Sequence, residues 1–256
     1  MTPYYPAMIR CWWLLAALSC AGCVVTQPQA TPVSELEVTE ARTGRPYWLY
    51  VPSNYSDQRS WPLVITLHGG QGWDSAHAQV REWKALAEDR GLIVAAPELK
   101  STQGLMAMVG SPSSKDLAAD DQAIVNVLEE VSLRYKVDGQ NVLLTGYAAG
   151  GYALYYTGLR HPELFSMLIA RDASFRADLL DGLELDDQAR TLPIMIFWGK
   201  DNSAGAQKQS WQAYRCLRER QFYQTRNKEV EGGSLRRPDL VYQFWAECRQ
   251  RARTKS

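Results

Sequence analysis

The stretch that most constrains this 256-residue chain is N-V-L-L-T-G-Y-A-A-G-G, residues 141–151. Residues 142–145 are apolar or β-branched and read as a strand. Gly146, Tyr147, Ala148 and Ala149 make a compact turn, and Gly150 and Gly151 lead into a helix-like pattern. A strand that turns this sharply into a helix fits few architectures. The helix must pack back onto the sheet that holds the strand, and the turn then stands at the sheet's carboxyl edge.

The remainder of the chain repeats the alternation. Leu36 and Val38 alternate with polar residues, and Y-W-L-Y-V at 47–51 follows Gly44-Arg45-Pro46, which predicts an opening antiparallel pair. Residues 62–68 form a continuous apolar run ending in His68-Gly69-Gly70, the pattern of a strand buried on both faces. Ala76, Val80, Trp83 and Ala87 recur at helical spacing, with Asp74 and Ser75 as candidate caps and Gly91 as the stop. Residues 92–97 read as the next strand. After a loop rich in Ser, Gly and Met over 100–114, Leu117, Asp121, Ile124, Leu128, Val131 and Tyr135 fall on one helical stripe. Strands are expected over 166–170, 192–198 and 222–230, and helices over 211–220 and 238–249. The fold class is therefore α/β: a mostly parallel central sheet with helices on both faces and no room for a large lid.

Composition bounds the partners. With 46% hydrophobic and 22% charged residues the chain suits one domain, and 28 basic residues balance 28 acidic ones. That balance gives no electrostatic case for nucleic acid. No cysteine and histidine cluster has metal-ligand spacing, and neither a phosphate loop nor a dinucleotide fingerprint is present, so no metal or cofactor is expected.

The amino terminus reads separately. Arg10 precedes a short apolar run over 11–18, too short to span a bilayer, and small residues follow at Ser19, Ala21 and Gly22. This is a secretory layout, and Met8 would give it a more typical short start. Its end, L-S-C-A-G-C, resembles a bacterial lipobox, which implies lipid on Cys23, with Cys20 as the less regular choice and an ordinary cleaved leader as the alternative. Residues 24–33, with two prolines and no charge, then read as a tether. The expected division is leader and lipobox over 1–23, tether over 24–34 and folded domain over 35–256. The expected location is the cell envelope, held at a membrane by the lipid anchor, or a soluble secreted or periplasmic form if no lipid is attached.

The runs R-P-Y-W-L-Y-V-P-S-N-Y, W-P-L-V-I-T-L-H-G-G, A-E-D-R-G-L-I-V-A-A-P-E, R-Y-K-V-D-G-Q-N-V-L-L-T-G-Y-A-A-G-G and R-H-P-E-L-F, in that order, resemble the secreted esterase and polyhydroxyalkanoate-depolymerase-like branch of the α/β-hydrolase superfamily. The resemblance spans about Arg45 to Trp245 and implies an α/β-hydrolase fold. It also implies a catalytic serine on the turn, a carboxylate in a G-x-x-D pattern after the strand at 192–198, and a histidine in a glycine-rich loop after the last strand.

All three positions depart from that pattern. Ala148 stands in the serine position, and a methyl group cannot attack a carbonyl. Gly199-Lys200-Asp201-Asn202 puts Asn202 in the carboxylate position with Asp201 one residue early. Glu231-Gly232-Gly233-Ser234-Leu235 puts Ser234 where the histidine belongs, and the chain's three histidines, His68, His77 and His161, lie elsewhere. Loss of the serine or the histidine alone costs on the order of a million-fold in turnover, after which the others are free to drift. An electrostatic remnant is expected: backbone amides of Gly69, Gly70, Gln71 and Ala149 as an oxyanion-type nest, with Trp73, Tyr147 and Trp198 as a stacking surface or as plain packing.

Three readings follow. The first is a pseudoenzyme that binds a small molecule bearing a carbonyl or carboxylate, or a protein partner, at the old site. The second is a working esterase with relocated groups such as Asp201 and His77. The third is an envelope scaffold in which the pocket has no role. Cys216 and Cys248 sit on helices expected to cover opposite faces and are expected to be free thiols.

Overall fold

The structure is a computed structural model that describes residues 35–70, 72–103, 111–183, 187–234 and 236–253. The leader, Cys23, Cys20 and the tether lie outside the described residues, as do Gln71 and residues 104–110 of the Ser, Gly and Met-rich loop.

Among the described residues one sheet holds eight strands: β1 (Leu36–Thr39), β2 (Pro46–Tyr50), β3 (Trp61–Leu67), β4 (Ile93–Pro97), β5 (Val137–Tyr147), β6 (Met167–Arg171), β7 (Ile194–Gly199) and β8 (Thr225–Val230). Their spatial order is β1-β2-β4-β3-β5-β6-β7-β8. β2 pairs antiparallel with β1 and β4, and every other neighbouring pair is parallel. The helices are α1 (Ala76–Arg90), α2 (Ser114–Arg134), α3 (Gly150–Arg160), the short α4 (Asp187–Thr191), α5 (Ala204–Glu219) and α6 (Pro238–Arg253).

The two-residue period of the strands divides the core in two. Leu63, Ile65 and Leu67 of β3, with Leu144, Ile196 and Trp198, face α2, α3 and α5. Val64, Leu143, Ile169, Met195 and Phe197 face the other way, onto α1 and α6. Continuous apolar runs in β3, β4 and β6 are thus explained, because both faces are covered. Cys216 packs with the first layer and Cys248 with the second, and both are free thiols.

Local signals act where they stand in the sequence. The Ser75 hydroxyl accepts the Ala78 amide at 3.1 Å to open α1, and Gly91 at φ 66° ends it in the left-handed region. The opening of α5 differs from the expected 211: it starts at Ala204, because Ser203 accepts the Ala206 amide at 3.3 Å and nucleates the helix earlier. β8 starts at Thr225 and not at 222, since Phe222 is a fully buried core residue whose amide closes back on the Leu217 carbonyl at the end of α5. The 3₁₀ turns Pro162–Leu164 and Ala177–Leu180, and α4, are too short to show a period in sequence.

From β3 onward the parallel strands all end at one edge. The segments after β3, β5, β6, β7 and β8 therefore meet there, and this edge holds the site.

Candidate functional site

At the centre of that edge β5 passes through Ala148 into α3. Ala148 has φ 46°, a left-handed conformation that disfavours a side chain. It is held there from two sides: its amide donates to the Arg171 carbonyl at 3.2 Å, and its carbonyl accepts from Ser174 at 2.8 Å. Gly150 lets the turn press against β3, since a Cβ on it would stand 2.6 Å from the His68 carbonyl oxygen and 2.7 Å from that of Leu67. Gly151 does the same toward the segment after β6, with 2.5 Å to the Ser174 carbonyl oxygen. The turn that would raise a nucleophile is fully built, and a methyl group occupies its apex.

A cavity of about 320 Å³ opens beside that methyl. It is lined by Ala148, Asp172, Ala173, Ser174, Asn202, Ser203, Gly205, Ala206, Gln209 and Ser234. Three positions that are far apart in sequence, Ala148, Asn202 and Ser234, thus share one space, as the family resemblance implied. Asp201 does not line it; it is exposed, and its amide donates to the Gly232 carbonyl at 2.9 Å. Asn202 accepts the Ser203 amide on Oδ1 at 2.7 Å, so one face of its amide group serves to start α5.

No imidazole reaches this cavity. His68 is fully buried, with Nδ1 against the Gly69 carbonyl at 2.9 Å and Nε2 accepting the Leu99 amide at 3.0 Å. His161 lies 3.2 Å from Asp121. His77 stacks on Trp48 with ring centres 3.7 Å apart and meets Glu35 through Nε2. These three are all the histidines of the chain, so each one is held in a structural setting away from Ala148.

The expected binding surface is partly redistributed. The Gly69 amide points to the Asp74 carboxylate at 2.7 Å and not into the cavity, because Asp74 folds back to collect the amides of its own loop. Gly70 accepts from Trp73 and Asp74 at 3.1 Å in the same tight loop. Ala149 stands at the amino end of α3, directly after the apex. Trp73 is 78% exposed, whereas Trp198 is 1% exposed and packs on Trp211 with centroids 5.3 Å apart. Trp198 is therefore a core residue and supplies no stacking surface: the strand alternation turns it inward, toward α5. The guanidinium groups of Arg171 and Arg236 lie 5.8 and 5.1 Å from the centre of the Tyr147 ring, and the Tyr147 hydroxyl meets the Ser234 hydroxyl.

Among the residues of the site that the sequence did not reveal, two are charged and buried. Asp172, buried and at φ 48°, follows β6, lines the cavity and accepts the Gly199 amide on Oδ1 at 2.9 Å. Arg171, fully buried, donates through Nη2 to Thr66 at 2.9 Å and Gln79 at 2.6 Å, and through Nη1 to the Arg236 carbonyl at 3.1 Å. Burial pushes the pKa of Arg171 down to about 10, against the opposing fields of Glu82 and Asp74. The signal that marks this pair in sequence is an Arg-Asp step directly after an apolar strand whose end belongs to the ligand edge.

Comparison with known proteins agrees with this architecture. A bifunctional acetylxylan esterase/xylanase from Neocallimastix patriciarum is 25% identical over 117 residues, 46% of this chain and 16% of that protein. The protein named "Probable acetylxylan esterase A" from Aspergillus flavus is 24% identical over 166 residues, 62% of this chain and 53% of that protein. The chain thus spans about half or less of the length of these curated relatives. Among solved structures, a ferulic acid esterase superposes with a TM-score of 0.61 at 17% identity, covering 84% of this chain and 95% of the other. The acetyl xylan esterase from Aspergillus awamori superposes with a TM-score of 0.59 at 14% identity, covering 84% and 99%. These likenesses show the α/β-hydrolase fold. A family model described as "Putative esterase" matches residues 41–231, and the chain belongs to that esterase family of α/β-hydrolase proteins.

Proposed function

We propose that this chain is a non-catalytic member of its esterase family, exported, anchored to a membrane through lipid on Cys23, and binding a ligand in the cavity beside Ala148. The observation that carries the reading is the methyl group of Ala148 at the apex of an intact strained turn, in a cavity that no histidine lines. A neutral hydroxyl needs a base to become a nucleophile, and here both are missing.

The ligand we assign is a small molecule with a carbonyl or carboxylate. The amino end of α3, whose cap residue Ala149 directly follows the lining residue Ala148, favours an oxygen with negative character, and the hydroxyls of Ser174, Ser203 and Ser234 with the amides of Asn202 and Gln209 supply uncharged hydrogen bonds around it. The lining favours a neutral or singly charged ligand over a polyanion, since among the described residues it contains one carboxylate, Asp172, and no cation.

The test is hydrolysis of short-chain aryl esters by the parent, by Ala148→Ser, and by a combined Ala148→Ser, Asn202→Asp, Ser234→His variant. The parent and the single variant are expected to be inactive, the latter for want of a base, and the combined variant to recover turnover. Hydrolysis by the parent that stops when the cavity is blocked overturns the proposal. The anchor is checked by metabolic labelling with a radioactive fatty acid: Cys23→Ser is expected to abolish the label.

A further inference from the structure

A second cavity, of about 340 Å³, lies at the opposite, amino edge of the sheet, where β6, β7 and β8 begin and α6 packs across them. Its size falls at the lower end of the range of about 300–1,000 Å³ usual for small-molecule sites. Esterase chemistry takes place at the carboxyl edge, so this space shares no residue with the cavity beside Ala148.

The floor is apolar and soft. Met167 opens β6, Ile194 and Met195 open β7, and Phe244 comes from α6; all four are largely buried. Two thioethers beside an aromatic ring adapt readily to a flexible chain. The rim is cationic. Arg226 is the register partner of Met195 across the β7–β8 pair and is exposed above it, and Arg251 comes from the last described turn of α6. Among the described residues Glu247 is the one carboxylate of the lining; it lies 3.4 Å from Arg251, so the second guanidinium, Arg226, has no carboxylate partner among the described residues of the cavity.

We propose that this cavity binds a single-chain amphiphile with an anionic head, of the medium-chain carboxylate class, with its tail along Met167, Met195 and Phe244 and its head at Arg226 and Arg251. A guanidinium binds a carboxylate through paired N–H donors, and the apolar floor rewards a hydrocarbon tail. A polar anion such as a nucleotide would leave that floor unpaired, and a two-chain lipid exceeds the volume.

Cys248 lines the same cavity and provides a readout that needs no enzymatic activity. Burial holds its thiol pKa up, with Arg251 and Arg226 opposing, so alkylation is run at mildly alkaline pH. The full chain is treated with iodoacetamide with and without decanoate, and modification of Cys248 and Cys216 is followed by mass spectrometry of their separate peptides. At decanoate ten times its Kd, Cys248 is expected to react about tenfold more slowly, because that fraction of sites is occupied, while Cys216 is unaffected. Arg226→Gln is expected to remove most of the protection and Arg226→Lys to keep it; Arg226 is exposed on an edge strand, so both variants fold. Decyltrimethylammonium, with the same tail and opposite charge, is expected to give none. Absence of protection at Cys248, equal slowing at Cys216, equal protection by the cationic amphiphile, or full protection in Arg226→Gln each overturns the proposal.

Discussion

Arg236 reaches from the segment after β8 to the buried carboxylate of Asp74 at 2.9 Å, and so ties the loop in the family's histidine position to the loop that follows β3. The same guanidinium donates to the Trp73 carbonyl at 3.1 Å and lies over Tyr147. The carbonyl of Arg236 in turn accepts from buried Arg171. The loops that follow β3 and β8 are therefore held together by a polar brace next to the turn at Ala148, and Ser234, two residues before Arg236, carries the β8 side of it to the cavity.

Arg236→Ala removes the brace and leaves Asp74 with only neutral donors. Asp74 is almost fully buried, but Arg236 is a third exposed, so the cost is expected to be about 1–3 kcal/mol, below that of a wholly buried pair. Urea unfolding monitored by tryptophan fluorescence measures it; a loss under half a kilocalorie would show that the amides of Gly69 and Ser75 and the Gln79 side chain, which donates at 2.7 Å, satisfy Asp74 without Arg236.

Ala148→Gly tests whether the turn still stores strain. An L-residue in the left-handed region costs about 1–2 kcal/mol, and the added freedom of an unfolded glycine takes back about 0.4–1. The variant is therefore expected to equal or exceed the parent by up to about 1.6 kcal/mol in thermal or urea unfolding, where an alanine-to-glycine change in an ordinary helix would destabilise.

Recovery of turnover is expected to depend on Asn202→Asp even though Asp172 lines the same cavity. The Oδ1 atom of Asp172 already accepts the Gly199 amide at 2.9 Å, which holds its carboxylate against the end of β7. Ala148→Ser with Ser234→His is expected to stay at least about 100-fold below the combination with Asn202→Asp, because an unoriented imidazole presents the wrong tautomer. Equal turnover in the two variants would assign the orienting carboxylate to Asp172.

The start of α6 carries a pH-dependent contribution. Hydrogen bonds from Arg237, at 2.6 and 2.9 Å, hold the Asp239 carboxyl below its usual pKa, with burial opposing. A depressed carboxylate pKa adds stability above the unfolded-state value and loses it as pH falls through the folded one. Asp239→Asn is expected to cost no more than about 1 kcal/mol at neutral pH, since the pair is more than half exposed on its acidic side. Parent and variant stability curves should converge as pH falls below the ordinary aspartate range and through the depressed folded-state pKa of Asp239.

Much of this was written locally in the chain. The strand-turn-helix at 141–151, the apolar runs of β3 and β4, the Ser75 cap and the Gly91 stop act through neighbours within a few residues, and each appears where its pattern stands. The absence of a histidine after β8 is a property of the sequence alone, because no folding supplies a missing side chain. Tertiary structure decided what depends on residues far apart. It turned Trp198 into the core and Tyr147 to Ser234, directed the Gly69 amide to Asp74, and buried Arg171 among Thr66, Gln79 and the Arg236 carbonyl. Hydrogen bonds and burial between such distant positions exist only once parallel strands bring their carboxyl ends to one edge, so the cavity's lining beyond Ala148, Asn202 and Ser234 could be read only from the folded chain.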